Sequence, residues 1–207
     1  YWQLLTEVSM DFPAFLQGVK QCLTSGYISY KDRNFILNPA GRREVNIRKL
    51  DKKVDYNALY TRLIEVTSQR PERREELDQA FAPPEVILER VKVMERNADI
   101  ADRNILLIGD GDCLGVALSL TELPRKVTIV DCDRRLLDVY ESLHLPTLEL
   151  IDQDLRRPLP FSKRGSYDVF FSDPTPTMKV MSLFLSRGLS GLKRRENVGY
   201  LAMSDME

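Results

Sequence analysis

Acids recur at the ends of apolar runs through the second half of this 207-residue chain. Asp110 and Asp112 follow Asn104-Ile105-Leu106-Leu107-Ile108, Asp131 and Asp133 close Val127-Thr128-Ile129-Val130, Asp152 and Asp154 follow a third run, and Asp173 a fourth. A carboxylate can accept hydrogen bonds from ribose hydroxyls, attract an ammonium group or take its proton. Asp131 ends its run about 20 residues after Gly109, the separation at which an acid reaches a ribose held over a glycine turn. The turn Gly109-Asp110-Gly111-Asp112 lets backbone approach a nucleoside, while its two acids would repel a pyrophosphate or a carboxylate tail. The ligand is therefore expected to be cationic there. In Asp168-Val169-Phe170-Phe171-Ser172-Asp173-Pro174, the proline fixes the chain and holds Asp173 at the mouth of the site. From there a carboxylate can accept a hydrogen bond from an attacking nitrogen and keep its lone pair in line with an electrophilic carbon. Each acid also has a plainer use: Asp112 and Asp133 suit helix N-caps before Cys113 and Arg134, and Asp173-Pro174 suits a rigid turn.

A nucleoside turn without a full Gly-x-Gly-x-x-Gly, joined to an Asp-Pro element, points to transferases in which a nucleophile displaces a thioether from a sulfonium. Methyl and aminopropyl transfer are the candidates. S-adenosylmethionine ends in a carboxylate and an ammonium, its decarboxylated form in the ammonium alone, so Asp110 and Asp112 favour the decarboxylated form unless a nearby Lys or Arg neutralises the turn.

These side chains need a scaffold, and hydrophobic spacing supplies its outline. Strands are expected near residues 104–108, 126–130, 147–151, 167–172 and 198–202, with helices near 113–121, 134–143 and 178–190. Alternating strands and helices build a parallel sheet covered on both faces, with ligands beyond the carboxyl ends of its strands. Two helices precede the alternation: residues 56–69, with Leu59, Leu63, Ile64 and Val66 on one side, and residues 85–97 after Pro83-Pro84, with Val86, Ile87, Val91 and Met94 as the buried stripe. Nearer the start, Phe15, Leu16, Val19 and Leu23 mark a helix over 12–25, Gly26 stops it, and Tyr27–Tyr30 with Asn34–Leu37 read as a hairpin around Lys31-Asp32-Arg33. Helix plus hairpin is the outline of a winged helix. The basic stretch 41–53 reads as a linker. The expected fold class is α/β, with a small winged-helix-like domain and linker over 1–53 and a Rossmann-like S-adenosylmethionine-transferase-type parallel sheet over 54–207.

Composition narrows the classes. Thirty Lys and Arg against 31 Asp and Glu leave a formal net charge of −1, so no overall field argues for nucleic acid or a membrane surface. No apolar run approaches the roughly 18 to 20 residues that span a bilayer, and the start lacks a signal pattern, so a cytoplasmic protein is expected. Three cysteines without Cys-x-x-Cys spacing and a single histidine, His144, support neither a disulfide framework nor a metal site. The first residue is not Met and the last expected strand lies near the end, so both ends are treated as open and the second domain as incomplete.

The chain resembles the branched-chain polyamine synthases, the bis(aminopropyl)spermidine synthases of thermophiles. The resemblance is carried by Arg70-Pro71-Glu72, Leu77-Asp78-Gln79-Ala80-Phe81, Pro84-Glu85, the Gly109–Asp112 turn, Leu118-Ser119-Leu120-Thr121, Asp131-Cys132-Asp133-Arg134-Arg135-Leu136-Leu137, Asp154-Leu155-Arg156-Arg157-Pro158-Leu159-Pro160 and Asp173-Pro174. It implies a homodimeric enzyme that transfers aminopropyl groups from decarboxylated S-adenosylmethionine to the secondary amine of spermidine, giving branched polyamines. Asp112 then matches the acid implicated in accepting the amine proton, Gly111 replaces the middle acid of the family's Gly-Asp-Asp-Asp turn, and Thr175-Pro176 replaces the end of Asp-Pro-Pro-Glu. The resulting expectations are Asp112 and Asp173 as catalytic groups, and Gly109, Asp110, Gly111, Asp131, Asp133 and Asp154 around the nucleoside. Asp78, Gln79 and Pro174 are expected at the polyamine. Two other readings stand beside this one: an S-adenosylmethionine-dependent methyltransferase acting on an amine or nucleobase, and a winged-helix nucleic-acid-binding regulator.

Overall fold

The apolar runs of the second half become β3 (Asn104–Ile108), β4 (Lys126–Asp131), β5 (Leu148–Asp152), β6 (Val169–Ser172) and β7 (Val198–Leu201). All their pairings are parallel, in the order β5-β4-β3-β6-β7. This computed structural model describes residues 12–31, 34–41, 54–77, 79–194 and 197–202. The chain divides into two units, Tyr1–Asp51 and Lys52–Glu207.

In the first unit, α1 (Phe12–Thr24) ends at Gly26, whose φ of +68° is easy only for a residue without Cβ. The amide of Tyr27 then donates to the carbonyl of Cys22 at 2.9 Å. β1 (Ile28–Lys31) and β2 (Asn34–Leu37) pair antiparallel, Ile28 opposite Leu37 and Lys31 opposite Asn34. Asp32 and Arg33 of the hairpin turn and residues 42–53 of the basic stretch lie outside the described residues.

The second unit starts with α2 (Tyr56–Ser68), capped by the Asp55 carboxylate, which accepts from the amides of Asn57 and Ala58 at 3.0 Å each. It buries Leu59, Leu63 and Val66. Ile64, expected on the same stripe, is 47% exposed. In α3 (Pro84–Arg96), Pro84 stands in the first turn, where a missing N–H costs nothing, and Ile87, Val91 and Met94 are buried while Val86 is not. Both outliers sit one position off the 3-and-4 spacing of their neighbours, which turns them to the flank of the stripe. The crossovers are α4 (Leu114–Leu120), α5 (Arg134–Ser142) and α6 (Met178–Gly191).

Alternation along β3 divides the core. Ile105 and Leu107 pack with the buried faces of α2, α3, α4 and α5, whereas Leu106 and Ile108 join Val130, Leu159, Tyr167 and Phe170 on the other face, against Leu183 and Phe184 of α6. The four apolar side chains of β3 are fully buried, worth about 1.5–3 kcal/mol each in removal from water. Register then fixes the site. Ile108 pairs with Val130 on one side and Ser172 on the other, so Gly109, Asp131 and Asp173 emerge at one level of the sheet.

Candidate active site at the switch of strand order

From β3 the chain moves outward to β4 and β5, then crosses back to place β6 on the other side of β3. The loops after β3 and β6 therefore part, leaving a crevice beyond the carboxyl ends of both strands. A cavity of about 430 Å³ lies there, bordered by Gly109 to Asp112, Asp131, Asp154 and Asp173. Gly109 has φ +68°, and a Cβ on it would come within 2.9 Å of the Phe184 ring. A Cβ on Gly111 would meet the Phe81 ring at 3.1 Å, so both glycines keep backbone bare where aromatic rings close over it.

The two acids of the turn face different ways. The buried carboxylate of Asp110 accepts from the amides of Leu114 (2.9 Å) and Gly115 (2.8 Å), and so satisfies the first turn of α4. Its carbonyl accepts from the Tyr140 hydroxyl at 2.6 Å. Burial, together with the nearby charges of Asp112 and Asp131, holds the Asp110 carboxyl well above the usual carboxylate range, against the pull of the two amides. Sequence spacing made Asp112 the candidate cap; the cap is Asp110, because an acid two residues earlier has the reach to double back on the helix start. Asp110 borders the cavity with its oxygens committed elsewhere.

Asp112 points across the crevice. One oxygen accepts from the Ala82 amide at 2.6 Å and the other from the Arg90 guanidinium. The same guanidinium reaches Asp173, joining the loop after β3 to the loop after β6, and lies 5.3 Å from the centre of the Phe171 ring. Burial raises Asp173 and the Asp112 charge adds to the rise, with Arg90 opposing both. An arginine thus does neutralise part of the acidic turn, which weakens the electrostatic case for a decarboxylated tail made from the turn alone.

Asp131, expected at a ribose, borders the cavity. Its oxygens accept from the amides of Asp110 and Asp133 at 2.9 Å each, fixing the carboxylate across the glycine turn and leaving lone pairs toward the cavity. Burial raises it above the ordinary carboxylate value. Asp154 borders the cavity from the loop after β5, and hydrogen bonds from Arg156 hold it down at about 2.

Asp133 does not border the cavity. Its carboxylate caps α5 through the amide of Arg135 at 3.2 Å and binds the guanidinium of Arg135 and the amide group of Gln79 at 2.9 Å. The helix start claims it before a ligand can. Gln79 and Pro174 do border the cavity, and Asp78 lies outside the described residues. Sequence reasoning missed Arg90 and Phe184, and quoted Phe81 and Arg156 in motifs without giving them a place at the site. For Arg90 no local signal existed, since its partners stand 22 and 83 residues away. Among the described residues no group of three His, Cys, Asp or Glu side chains is placed to hold a metal, and no helix is long and apolar enough to cross a membrane.

Residues 58–207 match the family described as the branched-chain polyamine synthase A C-terminal domain. The N(4)-bis(aminopropyl)spermidine synthase of Methanocaldococcus jannaschii is 35% identical over 157 residues, 74% of this chain and 45% of the relative. That of Thermococcus kodakarensis is 27% identical over 225 residues, covering 100% of this chain and 64% of the relative. The chain thus spans about half to two thirds of the length of these relatives. A solved structure, the branched-chain polyamine synthase C9 mutein from Thermus thermophilus in complex with N4-aminopropylspermidine and 5'-methylthioadenosine, aligns with a TM-score of 0.69 at 26% identity, over 89% of this chain and 57% of that one.

Proposed function

The chain belongs to the branched-chain polyamine synthase family, and from that premise we propose that it transfers an aminopropyl group from decarboxylated S-adenosylmethionine to a polyamine nitrogen, with spermidine as the leading acceptor. The observation that carries the reading is the pair Asp112 and Asp173, brought together through Arg90 from the two loops that part at the switch of strand order, at a cavity that Asp131 also borders. In this reading Asp131 holds the ribose and Asp154 faces the adenine amine. Gly109 and Gly111 let the nucleoside lie against backbone, and Gln79 and Pro174 border the acceptor, with Asp78 as a further contact. Asp110 shapes the turn from beneath rather than touching the donor's tail.

The reaction balances simply. The amine lone pair forms a C–N bond to the methylene next to sulfur, the C–S bond breaks, its electron pair stays on sulfur, and 5'-methylthioadenosine leaves as a neutral thioether. The new ammonium loses one proton, for which Asp112 is the acceptor and Asp173 the group that orients the nitrogen. Carboxylates suit the task because polyamines arrive protonated, so the same groups attract the acceptor and then receive a proton. The Thermus relative's complex supports the choice of donor: methylthioadenosine is what remains when a three-carbon chain departs, whereas methyl transfer would leave the homocysteine thioether. A homodimer in the cytoplasm completes the proposal, and a winged-helix role for the first unit remains part of it.

The pairing of Arg90 with Asp112 favours keeping methyl transfer as the second reading, because a partly neutralised turn tolerates a carboxylate tail. Incubating the protein with spermidine and each donor in turn, and following products by mass spectrometry, separates them. Release of methylthioadenosine with a gain of one or two aminopropyl groups on spermidine is expected; a methyl gain from S-adenosylmethionine, with the decarboxylated form inert, overturns the proposal.

A further inference from the structure

Two carboxylates facing one small volume cannot both stay ionised unless something holds their charges apart or pairs them, and in an unpaired dyad one acid keeps its proton. Here a single guanidinium, that of Arg90, contacts both Asp112 and Asp173. That guanidinium does not border the nucleoside cavity. Arg90 comes up from α3 along the opposite side of Phe171, where its stem helps line a separate apolar groove with Val86, Val93 and Met94. Both acids border the cavity while each gives an oxygen to the arginine, and the second oxygen of Asp112 accepts from the Ala82 amide. Only 18% of the Arg90 side chain is exposed, and it stacks on Phe171, so its fork is held from both ends.

We propose that Arg90 is a positioning residue that acts through the acid pair: it keeps Asp112 and Asp173 both ionised and in register, so that the cluster presents one net negative charge to the cavity, room for one ammonium and one proton. The inference rests on the reading of these two acids as the acceptor site. The other polar groups near Arg90 are already engaged. Glu89 on its own helix pairs with Lys92, Glu85 binds the hydroxyl of Tyr60, and Tyr200 on β7 donates to Asp99 while accepting from Asn97. Asp110 faces α4 instead. A guanidinium has the geometry to bridge two acids, whereas an ammonium is a point charge that serves one well.

The test reads the acids directly and needs no substrate. With aspartate labelled with carbon-13 at the carboxyl, assigned through Asp112→Asn and Asp173→Asn, the two titrations are followed in the full chain and in Arg90→Gln and Arg90→Lys. In Arg90→Gln one of the pair is expected to titrate higher by about one to three pH units, the range an adjacent opposite charge commands, with Arg90→Lys in between. The acid limb of kcat/KM should move up with it, while KM for the nucleoside donor stays put. Titrations that superimpose on wild type overturn the proposal. Should Arg90→Gln not fold, Arg90→Lys decides alone: a raised titration supports the role and an unchanged one removes it. A moved titration in a protein that transfers no aminopropyl group sinks the functional reading and leaves Arg90 its role; transfer with unmoved titrations does the reverse.

Discussion

Asp110 and Asp112 stand two residues apart in one turn and do opposite things, which makes them separable by mutation. Asp112→Asn keeps an oxygen for the Ala82 amide but removes the proton acceptor, so aminopropyl turnover should fall by roughly 10²–10⁴-fold while methylthioadenosine binding, measured by calorimetry, is retained. Turnover within a few-fold of wild type would remove Asp112 from the chemistry. Asp110 answers to a different measurement. Its folded pKa lies above the ordinary value of 3.8, so the stability linked to its protonation is fully present below that pH and is lost as pH rises through the raised value. The urea midpoint of Asp110→Asn, which carries no charge at any pH, should fall less steeply than wild type above about pH 4. An identical slope would show that Asp110 ionises as freely in the folded chain as in the unfolded one. Sequence spacing marked both acids and could not assign them, because which carboxylate turns back on the helix depends on the path of the turn. Asp131 was legible for the opposite reason: it ends a strand, and strand ends sit where the register puts them.

Among the elements, α4 packs closely on the sheet. Its Gly115 gives an amide to Asp110 and lies against β4, where a Cβ would stand 2.7 Å from the Cγ1 and Cδ1 atoms of Ile129 and 2.9 Å from the Asp110 carboxylate. Helix propensity alone would make Gly115→Ala favourable by up to about 1 kcal/mol. Ile129 is fully buried and cannot retreat, so the overpacking cost of about 1–3 kcal/mol wins and the thermal midpoint should fall. Ile129→Val removes the closest methyl, and the double mutant should be less destabilised than the sum of the two changes. Additive losses would mean that α4 shifts away from the sheet instead. The helices were legible because apolar side chains recur at about 3.6 residues, and the central strands because a strand buried on both faces reads as a continuous apolar run. The exceptions, Ile64 and Val86, lie on the margin of a stripe, where one residue of rotation separates core from solvent. What periodicity does not encode is which helix reaches over which strand, and Arg90 enters the site by just such a crossing.

For the molecule as a whole, burial is uneven between the two units. Of the buried apolar side chains among the described residues, Phe15 alone belongs to Tyr1–Asp51, while both faces of the sheet are filled from within Lys52–Glu207. Stability follows buried apolar area, at roughly 25 cal/mol per Å², so the second unit supplies most of it. The same unit holds every described residue of the candidate site. A chain beginning at Lys52 should therefore unfold cooperatively with a urea midpoint close to that of the full chain, and should bind methylthioadenosine with the same affinity. The first unit would then serve the acceptor, the assembly or a partner, and its removal would show in KM for the polyamine or in the sedimentation coefficient rather than in nucleoside binding. Loss of methylthioadenosine binding on truncation would instead mean that the first unit helps to form the nucleoside site, and the division of labour argued from burial would fail.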